Sequence, residues 1–329
     1  MKKRTTSQIM ASLLPRMAAW LLPLFVLVLL LRTLAATGCV NIAGCASILL
    51  VISGAGIFVY KSYPLEQPGA QWKINKEMLL SIFAVSAASW LTFYLNHTLG
   101  IGAVIASALV GLAGGLLFPK YAPPIYCGSF VGMSSRAVLP GVPACLLASL
   151  IAGIVYQTSA NTLNGIGGKL GTIAFIGSVT TGIAFQLPFS SSPLPPAKIA
   201  WSIVILSVLA ALLTWVIGNR LGLGAVVASA LVGLAGGVVL PLLAADHGRL
   251  LAVAVFCASF TGMSSRERFS APLVMVAGCL TGIIFILALA VFGGAGGKLG
   301  MAAFSASLAA LGYAHLANRL QFAFKNRVK

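Results

Sequence analysis

Two stretches of this chain repeat a phrase rich in groups that coordinate ligands. Cys127–Arg136 reads CGSFVGMSSR and Cys257–Arg266 reads CASFTGMSSR, with eight of ten letters the same. The serines Ser129, Ser134 and Ser135, with Ser259, Ser264 and Ser265, are candidates to hold a solute through hydroxyl and backbone groups. Cys127 with Met133, and Cys257 with Met263, offer soft sulfur donors of the kind that suit Cu(I). No histidine joins them, so packing is the better reading and no metal or cofactor is assigned.

A second repeated motif carries charge. GIGGKLG at Gly165–Gly171 matches GAGGKLG at Gly294–Gly300, each between apolar segments. The glycines permit a bend or break and close backbone approach. A broken helix offers unpaired N–H groups and a positive dipole end. Lys169 and Lys298 beside such amides make a candidate anion site by charge complementarity; the alternative is that each lysine marks a loop at the water interface or snorkels there. It is not a phosphate loop, because Leu follows the GK pair and no strand precedes it.

Several chemistries are missing. His97, His247 and His315 have no repeat partners, and no HExxH motif, carboxylate pair or nucleophile–base spacing occurs, so no enzyme is expected. The only acidic residues are Glu66, Glu77, Asp246 and Glu267, and none falls inside an apolar segment. That argues against a proton or metal-cation pump built on carboxylates.

The elements that position these groups follow from composition. Hydrophobic residues make up 59% of the chain and charged residues 8%, and the mean hydropathy is +1.03. A water-soluble fold of this size has no way to bury so much apolar surface. Met17–Ala36, Val40–Tyr60, Met78–Leu95, Ile101–Phe118, Ile199–Ile217 and Leu221–Leu240 are each long enough to cross a hydrocarbon core of about 30 Å. The expected class is an all-α polytopic membrane protein of about ten to twelve transmembrane helices in a lipid bilayer. The net charge of +17 does not point to nucleic acid, since the basic residues lie at segment ends without interleaved aromatics. The amino-terminal KKR and the carboxy-terminal Arg319, Lys325, Arg327 and Lys329 place both termini in the cytoplasm, and the compact loops fit a bacterial inner membrane. The apolar run near the start reads as an uncleaved first helix, and Cys39 lacks the leucine that precedes a lipidated cysteine.

The chain is a duplication. LGIGAVIASALVGLAGGLLFP at Leu99–Pro119 recurs as LGLGAVVASALVGLAGGVVLP at Leu221–Pro241. Repeat 1 spans 78–187 and repeat 2 spans 198–329 with a basic tail. A Pro/Ser-rich linker, 188–197, joins them, and 1–77 form an uncopied two-helix extension. Ala103, Ser107, Gly111 and Gly115, with Ala225, Ser229, Gly233 and Gly237, form small-residue faces for close helix packing.

The segment Ile125–Ser135 is about half a bilayer long and follows Pro123 and Pro124. It reads as a short re-entrant or broken helix. If re-entrant, each repeat has four spans and the halves run parallel; if it crosses, each has five and the halves are inverted. Counting Lys120, Arg136, Lys198, Arg249, Arg266 and Arg268 by the positive-inside rule favours parallel halves. The design resembles duplicated secondary transporters and channels, whose broken helices meet near the midplane. The expectation is passage of a small anion or small polar solute at the interface of the repeats, with a homo-oligomer possible. The alternative is a non-transport membrane subunit or scaffold of a larger complex.

Overall fold

A computed structural model describes residues 6–37, 42–62 and 75–327. Cys39, Glu66, Lys2–Arg4 and Lys329 lie outside the described residues. The twelve α-helices among them are α1 (Thr6–Thr37), α2 (Ile42–Ser62), α3 (Lys76–His97), α4 (Ala103–Leu117), α5 (Ala122–Gly132), α6 (Val142–Thr158), α7 (Lys169–Ala184), α8 (Ala197–Asn219), α9 (Ala225–Leu243), α10 (Gly248–Gly262), α11 (Ala271–Ala288) and α12 (Lys298–Arg327). The described residues contain no strand beyond one isolated bridge, Ser190 to Gly293. Seven helices (α1, α2, α3, α8, α9, α11 and α12) are long and apolar enough to cross a membrane, and α4, α6, α7 and α10 are shorter apolar helices. The chain is an all-helical integral membrane protein.

Its burial pattern agrees. Phe83 and Trp201 are each 69% exposed on the outer faces of α3 and α8, while Ser89, Thr92, Ser207 and Thr214 on the same helices are fully buried. Such a distribution suits a hydrocarbon solvent.

Local chemistry sets the helix ends. Asn75 Oδ1 accepts the Met78 N–H at 2.8 Å and caps α3. The LGIG and LGLG turns start α4 and α9 with Gly102 at φ +89° and Gly224 at φ +81°. These left-handed values explain why both copies keep glycine there.

Depth can be read from contacts. Gly128 lies against the Val85 carbonyl and Gly132 against Ser89 and Phe93, so α5 runs parallel to α3. Lys120, just before α5, pairs with Glu77 at the start of α3 at 2.6 Å. At the other end the His97 ring nitrogen meets the Ser134 carbonyl at 2.8 Å. With its preceding 3-10 turn, Pro119–Tyr121, α5 therefore covers the same depth as α3. The re-entrant reading of Ile125–Ser135 is corrected: its helix is short, yet it traverses.

The broken elements lie elsewhere. Cys127, level with the middle of α3, donates to the Leu170 carbonyl at 3.4 Å, which puts the start of α7 at mid-depth. Cys257 donates to the Leu299 carbonyl at 3.2 Å and does the same for α12. Both GGKLG turns thus end half-way through the bundle. There Gly171 packs on Gly300, Gly168 on Phe304 and Gly297 on Phe175, an antiparallel crossing that only bare backbone permits.

Equivalent helices run in opposite directions. Gly115, near the end of α4, packs on Val227 at the start of α9, and Gly237 packs on Val104 and Ile105 at the start of α4. Parallel halves would align these helices, so the preference for parallel is corrected. Adding Arg220, at the end of α8, to that charge count still leaves it favouring parallel halves, so the helix contacts and not the charges decide the direction. At the Lys120 end of the bundle stand Lys61, Lys76, Lys120, Arg220, Arg266, Arg268, Arg319 and Lys325; at the His97 end stand Arg136, Lys198 and Arg249. Antiparallel halves keep a strong charge asymmetry.

The small-residue faces also do more than expected. Gly111 and Gly233 seat the rings of Tyr126 and Phe256 from the neighbouring helix, and of the four glycines on these faces Gly115 and Gly237 serve the α4–α9 contact itself.

Candidate functional site

The repeated Cys-to-Arg phrase closes the end of α5 and of α10, and its serines all have partners inside the protein. Ser129 Oγ meets Ser107 Oγ at 2.8 Å, as Ser259 Oγ meets Ser229 Oγ at 2.8 Å, tying α5 to α4 and α10 to α9. Ser129 and Ser259 also donate to the carbonyls of Tyr126 and Phe256. Gly132 and Gly262 let α5 and α10 lie on the backbones of α3 and α8.

The last serines reach across to the opposite repeat. Ser134 Oγ accepts the Gly296 N–H at 3.0 Å, and Ser264 Oγ accepts the Gly167 N–H at 3.0 Å. The Ser135 N–H donates to the Gly294 carbonyl at 2.8 Å, and the Ser265 N–H to the Gly165 carbonyl at 3.0 Å. Each half therefore latches the glycine turn of the other. Four of the six candidate serines, Ser134, Ser135, Ser264 and Ser265, lie at these latches, Ser129 and Ser259 tie helices within their own repeats, and none of the six lines either of the two cavities found between the repeats.

We expect Ser134→Ala and Ser264→Ala to weaken folding about equally, by about 1–3 kcal/mol each, because each strands one buried N–H. Unfolding in detergent, followed by tryptophan fluorescence, measures both.

The lysines do line cavities. One cavity, of about 280 Å³, is bounded by Lys169, Gly168, Tyr156, Val226, Met263 and Phe260. A second, also of about 280 Å³, is bounded by Lys298, Gly297, Phe285, Val104, Met133 and Phe130. The residues correspond position by position between the repeats. The first lies toward the Lys120 end, beside the starts of α5 and α9; the second lies toward the His97 end, beside the starts of α4 and α10.

Between them stands an aromatic seal. Phe130 and Phe260 border both cavities. Their centroids are 4.6 Å apart, and Tyr126 and Phe256 pack behind them at 4.3 and 4.6 Å. All four rings are at most 2% exposed. Tyr126 OH reaches Ser229 Oγ at 3.0 Å and fixes the cluster across the repeats. These rings were missed from the sequence. The signal was present: phenylalanine holds the fourth place of both phrases.

The two halves differ in polarity. Lys169 Nζ donates to the carbonyls of Ser159 at 2.7 Å and Thr162 at 2.6 Å and to Asn164 Oδ1 at 2.7 Å. Lys298 Nζ donates to the Val291 carbonyl at 2.6 Å, the counterpart of Thr162. Asn164 corresponds to Gly293, so Lys298 lacks that third partner. The linker fills the space instead: Ser190 and Gly293 exchange backbone bonds of 3.1 and 2.8 Å. Ser190 and Ser192 there join the lining of the second cavity.

Both lysines occupy the first position of a helix, where the dipole is positive. That is the unfavourable end for a cation. Carbonyl groups offset the conflict at Lys169 more fully than at Lys298, and an anion in either cavity would relieve it. The sulfurs do not converge: the Cys127 and Cys257 thiols point to the Leu170 and Leu299 carbonyls, while Met133 and Met263 line the cavities. No cluster of three or more His, Cys, Asp or Glu suited to a metal occurs among the described residues. No protein-family model, no curated protein and no solved structure matches this chain.

Proposed function

We propose that this protein is a transporter or channel for a small anion or small polar solute, working between two inverted repeats in a bilayer. The observation that carries the reading is the pair of matched cavities on opposite sides of the Phe130–Phe260 seal, each holding a lysine at the start of a helix that begins at mid-depth. A solute path through an inverted repeat has this form, with its site where broken helices meet.

Charge argues for an anion. Two lysines and two helix starts face the path, and no carboxylate among the described residues borders either cavity. Size argues for a small one, since about 280 Å³ falls at the low end of ordinary small-molecule sites, about 300–1,000 Å³. Lys169 and Lys298 supply the field, and Lys298 keeps donors for direct contact. Ser134, Ser135, Ser264 and Ser265 act as positioning residues that hold the glycine turns, and Ser129 and Ser259 fix α5 and α10 on α4 and α9. No bond of the solute is made or broken in this scheme. The excess of cations at the Lys120 end supports a cytoplasmic side there, and this reading keeps both termini on that side, in a bacterial inner membrane.

Uptake into proteoliposomes tests the reading, with small inorganic and carboxylate anions, neutral amides and polyols as probes. Lys298→Gln is expected to slow anion uptake by about tenfold, a barrier increase of about 1.4 kcal/mol. Lys169→Gln is expected to lower thermal stability more than Lys298→Gln, because it frees three carbonyl acceptors. Uptake unchanged when both lysines are Gln would remove the anion site. No uptake of any probe, with a stable partner after gentle purification, would favour the subunit or scaffold reading.

A further inference from the structure

A third basic cavity lies away from the solute path, at the Lys120 end of the bundle. It has a volume of about 1090 Å³ and is bordered by Lys61, Arg268, Arg319 and His315, with Phe58 and Phe322 as apolar walls. We propose that it binds the phosphate headgroup of an anionic phospholipid, with an acyl chain along the aromatic walls.

The placement follows from the helices. Lys61 is in the last turn of α2. Arg268 lies in the turn from α10 to α11, and Arg319 near the end of the apolar part of α12. α2 and α12 run parallel and touch at Gly54 and Gly312, where a side chain on Gly312 would strike the Gly54 carbonyl. Their outer ends therefore arrive together, at headgroup depth. The Phe58 and His315 rings stack with centroids 5.8 Å apart and planes at 3°, which fixes one wall.

The charge balance favours an anion. Lys61 and Arg319 stand close enough to repel each other. Glu267 is the one acidic residue on the cavity wall, and Arg266 engages its carboxylate at 3.4 Å. A phosphodiester accepts bonds from guanidinium and ammonium groups at once. Phe322, 69% exposed, and Ala323 continue the cavity as apolar surface over the buried Phe58 and Leu311, a match for a lipid tail that free phosphate leaves unused. Basic pockets between helices at a membrane face suit such headgroups. The proposal rests on membrane insertion and not on the transport reading.

The test is thermal unfolding of the full-length protein in neutral detergent at constant ionic strength. The probes are phosphatidylglycerol, phosphatidylcholine with the same chains, and inorganic phosphate. Phosphatidylglycerol alone should raise the midpoint, by about 3–5 °C at saturation. The rise should vanish in Lys61→Gln with Arg319→Gln and persist in the charge-matched control Lys76→Gln with Lys325→Gln. It should also persist in Lys298→Gln, which separates this site from the solute path. Equal stabilisation by inorganic phosphate would make the ligand a free anion and overturn the lipid assignment. Equal stabilisation by phosphatidylcholine, an unchanged response in the Lys61/Arg319 variant, or no response to phosphatidylglycerol would overturn the site.

Discussion

Replacing Phe130 and Phe260 together with alanine opens the path: small solutes that the native protein excludes should cross proteoliposomes at least about tenfold faster. Among the described residues, the two rings are the only side chains that border both cavities. A solute passing between them sheds its water against apolar surface, and burying an unpaired polar group costs several kcal/mol. Removing both rings joins two spaces of about 280 Å³ each into one wet passage. A drop of about 1.4 kcal/mol in barrier height is already tenfold in rate. Each Phe→Ala change also costs about 3–5 kcal/mol of core packing, so a control is needed. Phe256→Ala removes an equally buried ring of the same cluster that borders neither cavity. Leak in the double variant with none in Phe256→Ala marks a gate. Equal leak in both would reduce the cluster to packing.

The second large effect falls on the mid-depth crossing. Gly168→Ala and Gly297→Ala should each leave little folded protein in the membrane. Gly168 has φ +88° and Gly297 φ +80°, a region that costs other residues about 1–2 kcal/mol. A methyl at Gly168 also meets the Gly300 carbonyl and the Phe304 amide, and one at Gly297 meets the Gly171 carbonyl and the Phe175 amide. These are backbone atoms and have no rotamer by which to yield, so overpacking adds about 1–3 kcal/mol or more. Gly56→Ala, with nothing within 4 Å of the new methyl, serves as the control. Monodisperse yield after detergent extraction distinguishes them; normal yield for Gly168→Ala would mean that α7 and α12 do not cross as described.

Much of this was written in the chain. Hydropathy gives the spans, and the GGKLG motifs mark the breaks because four glycines around a lysine suit neither a continuous helix nor an ordinary loop. The paired LGIG and LGLG turns give the duplication its register. The direction of the halves was harder. It depends on whether α5 crosses, and a segment as short as Ala122–Gly132 is ambiguous until Glu77 and His97 supply depth marks at its two ends. The role of the serines was hidden for another reason. Hydroxyl spacing along the chain says nothing about an acceptor one repeat away, and Ser134 with Gly296 is a contact across 162 positions. Lys169 and Lys298 look alike in sequence, and only the residues before them, Asn164 against Gly293, set them apart.

The exchanged latches bear on how a ribosome can deliver this protein. When the first repeat has entered the bilayer, the Gly167 amide has no acceptor, because Ser264 has not yet been made. Ser134 likewise waits for Gly296. A nascent first half therefore holds an open polar turn in hydrocarbon until the last helix arrives, and neither half completes itself. Maturation ends as one late docking step, in which α12 brings its turn to Ser134 while the α10 end closes on Gly167.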